Sequence, residues 1–522
     1  MTNFFFLFTL KCLTFIDFKR ENTMTAINDL KEYFTEIKRL NYINSLLSWD
    51  QETYMPSGSV SGRAKQLSLV QKLIHQRLTS SRIDELIQEA KKINNLSDME
   101  TAMIRESERD HLLAIKLPEK LVMDITETGS QAVEAWKKAR EQKKLKGSTF
   151  VPLLEKNVSL QIEQAEKLGT HPDLYSTLID LFEPGATYDW IANIFNKIKP
   201  KLVDFVKKLD SSSSKPKQAI LRKNYDEDLQ FKLSVEMIKK LNFDLNHGRQ
   251  DISTHPFTSS LSSVDTRITT RTTESFLNEC IFGTIHECGH ALYDMGFKKE
   301  IHDTILASGC SMGIHESQSR MWENIVGRSK EFWQYWYPTF QKYFPENLKD
   351  YPLEDFYGAV NVVKPSFIRV NADEVTYGLH VILRFEIEKD LIEGKIQVNE
   401  LDEIWNSKFE DLLGLTPPDD AKGVLQDIHW GWGLIGYFPT YFLGSLYASQ
   451  IYNDALKKRP SLPEDYAKGE FSYLLTYLRE NVHQHGSIYR ANDLINRITG
   501  EDLNPDYFLK YIEEKFYPIY GL

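Results

Sequence analysis

The stretch Phe282-Gly283-Thr284-Ile285-His286-Glu287-Cys288-Gly289-His290-Ala291-Leu292-Tyr293 sets two histidines four positions apart inside a helical pattern. Positions four apart share one face of an α-helix, so His286 and His290 can both offer imidazole nitrogen to one tetrahedral ion. Glu287 sits beside the first of them and can reach a water activated by that ion. The residue types suit the chemistry. Neutral imidazoles bind a cation such as Zn²⁺ without cancelling its charge, and it keeps its Lewis acidity. A carboxylate can then take a proton from the attacking water and pass it to a leaving amine. Cys288 points elsewhere on the helix and reads as packing. The plain alternative is a helix with two satisfied histidines; Gly296, a plausible helix stop, supports the motif reading.

A third ligand has to come from another segment. No histidine completes a longer motif downstream, which leaves a glutamate from a later helix. Gly313-Ile314-His315-Glu316-Ser317-Gln318-Ser319-Arg320-Met321-Trp322-Glu323-Asn324 offers Glu316 and Glu323. Spacing alone favours Glu316 only slightly. Asp294, one turn after His290, is either a support for a ligand or a solvated carboxylate.

The rest of the chain reads as helical. Apolar residues recur at three-to-four spacing over 28–47, with similar patterns near 61–78, 97–114, 118–144 and 149–168. Pro118 and Pro152 stand where helix starts are plausible. The basic stretch Lys137–Lys146 reads as a solvated helix face, and Ser211–Ser214 with Pro216 as a surface loop. The β-branched run Thr266–Thr273 is the main strand candidate. No repeat or linker divides the chain, so a single domain over 24–522 is expected. Residues 1–23 carry an apolar run, Phe4–Phe8, but their basic residues Lys19 and Arg20 come after it. That order does not suit a secretory signal, and the segment reads as an over-extended start with Met24 as initiator. Trp430–Ala448 is apolar and long enough for a membrane helix. It contains four glycines and Pro439, and reads instead as a buried wall.

Composition narrows the function. Among 522 residues, 74 acidic against 63 basic side chains give a formal charge of −11, which disfavours nucleic acid or an anionic membrane as partner. Four cysteines with no CxxC pair are no disulfide framework, and a reducing, cytoplasmic setting is expected.

At these residues the chain resembles the carboxypeptidase Taq family of metallocarboxypeptidases. His255-Pro256-Phe257 is similar to the family's His-Pro-Phe, Asp265-Thr266-Arg267-Ile268-Thr269 to its Asp-x-Arg-x-Thr, and His286–His290 to its metal helix. His315-Glu316-Ser317-Gln318 resembles the His-Glu-Ser-Gln element whose glutamate is the third ligand; the resemblance thus decides for Glu316 over Glu323. Ile368-Arg369-Val370-Asn371-Ala372-Asp373 and Gly423-Val424-Leu425-Gln426-Asp427-Ile428-His429-Trp430 resemble two further elements. Trp49-Asp50-Gln51, Met55-Pro56 and the Thr499-Gly500 region extend the likeness from about residue 24 to the end. The resemblance implies a mainly α, neurolysin-like fold with a deep groove and a small β element near the site. It further implies one divalent ion (Zn, with Co possible), broad removal of C-terminal residues from peptides, and a homodimer.

A carboxypeptidase must bind a free terminal carboxylate, for which guanidinium is suited. Arg369 is the first choice by its motif and Arg267 the second, each with a structural ion pair as the alternative. His429, Tyr437 and Tyr441 are candidate donors to the oxyanion or substrate, against plain packing of the tyrosines. His255 either nears the site or steadies the turn before Phe257. Two rival functions share parts of this pattern: a groove endopeptidase with the same metal chemistry, and a non-catalytic peptide-binding helical protein.

Overall fold

In the computed structural model, residues 3–522 are described, with side chains from Ala26 onward. The proposed extension 1–23 therefore lies outside the residues whose side chains are described. The fold is mainly α, with one small sheet beside the metal-motif helix.

The periodic stretches become the helices Asn3–Thr53, Val60–Leu78, Asp98–Lys116, Glu119–Glu141 and Phe150–Leu168. Their ends follow local chemistry. Ser97 and Glu100 form a reciprocal capping box, and Gly169 closes Phe150–Leu168 in the left-handed region. The N-terminal helices bury Ile27, Leu30, Phe34 and Ile37 against Ile74, Ile83, Leu86 and Ile104, a small core apart from the main one. Lys38 ties this layer to the body by donating to the Ala307 carbonyl at 2.6 Å.

The sheet has the order β1 (Gly248–Ile252), β3 (Asp265–Thr270), β2 (Thr258–Ser262). β3 pairs parallel with β1 and antiparallel with β2. Only β3 was expected, starting one residue later and running three residues further than it does. β2, Thr-Ser-Ser-Leu-Ser, has the composition of a loop, and its hydroxyls are employed on the metal-motif helix.

That helix, Leu277–Asp294, is buried on most sides. It ends before Gly296, but the glycine's φ is not left-handed. Its smallness serves contact instead: a Cβ there would lie 2.5 Å from the His483 Cβ. Trp430–Ala448 is a wall as expected. A turn-rich loop leads into the helix Pro439–Lys458, whose apolar residues are largely buried. Among the described residues, no helix is long and apolar enough to cross a membrane.

Candidate metal centre and substrate wall

Two glycines bring the helices of the centre together. The metal-motif helix crosses the helix Met312–Arg320 at Gly289, where a Cβ would stand 2.7 Å from the Gln318 carbonyl oxygen and from the Ser319 Cα. Pro439–Lys458 presses on the same helix at Gly444, where a Cβ would stand 2.6 Å from the Glu316 Cγ. Held between these contacts, Glu316 places Oε2 3.6 Å from the His286 Nε2 and 3.5 Å from the His290 Nε2. The three donor atoms lie within 4.8 Å of one another. Two imidazole nitrogens and one carboxylate oxygen facing a common centre fit a divalent cation.

The ligand candidates are braced from behind. His286 Nδ1 donates to Glu323 Oε2 at 2.9 Å, so Glu323 stands behind a candidate ligand and is not among the converging donors. Arg320 donates to Glu316 Oε1 at 2.6 Å, leaving Oε2 as the oxygen that faces the histidines. Arg320 and Glu323 follow Glu316 by four and seven residues and so share its helical face. Glu323 sits in a π-helical turn, Met321–Val326, a distortion that recurs at functional sites. Burial works against ionisation of Glu316, but Arg320 and the imidazoles hold its carboxyl well below the usual carboxylate range. Glu323 is likewise held at about 2, burial being outweighed by His286, Arg320 and Arg328. Cys288 is fully buried in the core.

Glu287 faces β2. Thr258 Oγ1 lies 2.7 Å from Glu287 Oε2 and 2.9 Å from the Glu287 carbonyl oxygen. Two residues along the same strand face, Ser260 donates to Asp294 Oδ2 at 2.6 Å. Nothing in the sequence of β2 signals these contacts, because they join segments about 30 residues apart.

The opposite wall is a chain of charges. The Arg320 guanidinium lies 4.3 Å from the Tyr377 ring centroid, and the Tyr377 hydroxyl accepts from Arg369 Nη1 at 3.0 Å. Arg369, 4% exposed, also donates from Nη2 to Asp427 at 2.8 Å, and Arg384 grips the other Asp427 oxygen at 2.6 Å. Arg369 is therefore ion-paired and still borders the tyrosine wall, its guanidinium carbon 4.9 Å from the Tyr441 ring centroid. His429 Nε2 stands 3.3 Å from the Tyr441 hydroxyl, and Tyr437 packs edge-on against Tyr441 and Phe182. Burial, with help from Arg369 and Arg384, pushes His429 down to about 4, so its ring is neutral at pH 7. Burial and the Glu316 charge raise Tyr437, which keeps its proton and can donate it in a hydrogen bond.

Two candidates make structural contacts of the kind weighed as their alternatives. Arg267 pairs with Asp265 at 2.8 Å and covers the Trp49 ring at 4.4 Å, so its guanidinium is engaged in holding the N-terminal helix to β3. His255 is exposed; its carbonyl accepts from Ser253, and neighbouring Pro256 is 3.6 Å from where a Cβ on Gly283 would be. This is the turn-steadying arrangement. A cavity of about 1040 Å³, lined in part by Ile325, Tyr357, Tyr452 and Tyr511, includes none of the candidate site residues.

The wall depends on buried Glu388, which accepts from Trp430 Nε1 at 2.7 Å, the Gly436 amide at 3.0 Å and the Tyr175 hydroxyl at 2.8 Å. Burial nevertheless lifts its carboxyl from 4.5 to about 7. Between these values the unfolded chain has released the proton while the folded chain keeps it. Stability from this group is therefore complete below about 4.5 and lost as pH rises through about 7, on the order of 3 kcal/mol. Glu388→Gln removes that titration. The Tm of wild type is expected to fall relative to the variant between pH 4.5 and 7.5; parallel Tm curves would contradict this.

Residues 29–516 match the family described as carboxypeptidase Taq (M32) metallopeptidase. Thermostable carboxypeptidase 1 of Thermus thermophilus is 38% identical over 509 residues, covering 95% of this chain and 99% of the relative. Carboxypeptidase 1 of Bacillus subtilis is 37% identical, covering 94% and 99%. The crystal structure of an M32 carboxypeptidase from Deinococcus radiodurans R1 superposes with a TM-score of 0.92 at 36% identity, over 95% of this chain and all of the other.

Proposed function

The chain belongs to the carboxypeptidase Taq (M32) metallopeptidase family, and from that premise we propose which of its residues carry the reaction. It is a metal-dependent carboxypeptidase acting on peptides. We assign the divalent ion, Zn²⁺ by the chemistry of its donors, to His286, His290 and Glu316. Once bound, such an ion supplies Lewis acidity that polarises the scissile carbonyl and acidifies water.

The protein's own groups do the rest. Thr258 occupies Glu287 Oε2, so Oε1 is the atom left to take the proton from the attacking water and deliver it to the departing amine. Tyr437 and neutral His429 are proton-bearing groups on the facing wall and donate to the developing oxyanion, with Tyr441 orienting His429. Arg369 is the end-stop. Nε and one Nη2 hydrogen serve Asp427 and one Nη1 hydrogen serves Tyr377, leaving a hydrogen on each terminal nitrogen for the substrate carboxylate. Arg267, from β3, and His255, from the turn before β2, are proposed as the outer rim of the substrate site.

The observation that supports this most is the convergence of three donors within 4.8 Å beside a glutamate fixed by a hydroxyl. The test is a time course on one unblocked peptide, with and without chelator, and on its C-terminal amide. Single residues should leave one end in steps, chelation should stop the release, and the amide should be spared. Internal cuts in the amide would instead assign an endopeptidase. Arg369→Ala should raise KM, with kcat falling as well where anchoring orients the scissile bond. Unchanged kinetics would remove it from the site.

The peptidase domain is proposed to span 24–522, in line with the family match. The acidic balance and buried thiols support a cytoplasmic enzyme without nucleic-acid or membrane partners. The family resemblance supports broad specificity and a homodimer.

A further inference from the structure

A third imidazole stands in the centre without facing the common point of the three donors. His315 Nδ1 lies 2.6 Å from His290 Nδ1, and His315 Nε2 lies 3.1 Å from Asp294 Oδ1. Asp294 in turn accepts from Ser260 on its other oxygen. The hydrogen-bond roles in this row follow from its fixed end. A carboxylate only accepts, so His315 Nε2 carries hydrogen. In the neutral ring His315 Nδ1 is then an acceptor, and the hydrogen between the two rings belongs to His290 Nδ1. His290 Nε2 is left with its lone pair, and this is the nitrogen that faces Glu316 Oε2.

We propose that His315, backed by Asp294 and Ser260, is a positioning residue that locks His290 in the tautomer and ring orientation needed for metal binding. The two ligating histidines are thereby supported unequally: His286 directly by the Glu323 carboxylate, His290 through an imidazole.

The His315 ring is itself held. A Cβ on Gly309 would lie 2.9 Å from its Cδ2, and the Tyr293 ring covers it at a centroid distance of 5.4 Å. Tyr293 also packs against His483, 5.2 Å away, and His483 Nε2 is bonded to Gln318 at 2.9 Å. The histidine and glutamine of His315-Glu316-Ser317-Gln318 therefore flank the glutamate with separate tasks: one steadies the partner ligand, the other bonds the His483 ring, which packs on the Tyr293 that covers His315.

The inference rests on His290 being a ligand, so the experiment separates the two. Metal dissociation constants are measured by chelator competition on His290→Ala, His315→Phe and His315→Gln, with the visible spectrum of the Co²⁺ form as a second readout. His315→Phe should bind metal 10- to 100-fold more weakly with an altered Co²⁺ spectrum, the span seen when such supports are removed. His315→Gln keeps an oxygen able to accept from His290 and should recover part of that loss. Wild-type affinity and spectrum in His315→Phe overturn the relay. Should His315→Phe not fold, Asp294→Ala decides: weakening of at least threefold supports the relay and none overturns it. Retained metal in His290→Ala would strike the ligand assignment itself.

Discussion

Glu287→Gln is expected to retain its metal and lose between about 10² and 10⁴ in kcat, the usual share of a positioned general base. The substitution is conservative in shape. A glutamine oxygen can still accept from Thr258, so the side chain should stay in place between β2 and the centre. Glu287 is not among the three converging donors, and metal affinity should match wild type. What disappears is the second carboxylate oxygen, the atom left to take a proton from water. Near-normal turnover in metal-loaded Glu287→Gln would refute the base assignment. Lost metal would show that Glu287 supports the centre rather than the chemistry.

The second large effect is expected from a residue with no functional group. Gly444→Val should weaken metal binding at least tenfold and cost about 1–3 kcal/mol of stability, the usual range for overpacking. The first atom of any side chain there would sit 2.6 Å from the Glu316 Cγ and 2.7 Å from its Cβ. Arg320 holds Glu316 Oε1, so a displaced side chain must disturb either that bond or the oxygen that faces the histidines. Gly58→Ala is the control, because nothing lies within 4 Å of a Cβ at that position. Chelator competition and thermal unfolding measure both effects. Wild-type metal affinity in a folded Gly444→Val would mean that the interhelical approach does not set the ligand.

The helices were legible because burial of one face imposes a period of 3.6 on apolar residues, as in Val60–Leu78 and Phe150–Leu168. The His286 and His290 pair was legible for the same geometric reason. Glu323 was visible as a rival ligand, but spacing could not say that it stands behind His286. β1 and β2 were missed because short strands rich in Ser, Thr and charged residues lack the alternation that marks a half-buried strand. Arg369 carried both of its readings from the outset; the fold shows the ion pair with Asp427 and leaves the carboxylate role to kinetics.

Local order along the chain was enough to determine the helical class, the two histidines on one face and the glutamate next to them, since all three follow from backbone periodicity. Only the tertiary structure decided which oxygen of Glu316 meets the histidines, which hydroxyl occupies Glu287, and how Asp294 reaches His290 through His315. Those relations depend on how closely helices approach at Gly289 and Gly444 and on where β2 lies. Such distances arise from packing between segments far apart in sequence, and no local pattern encodes them.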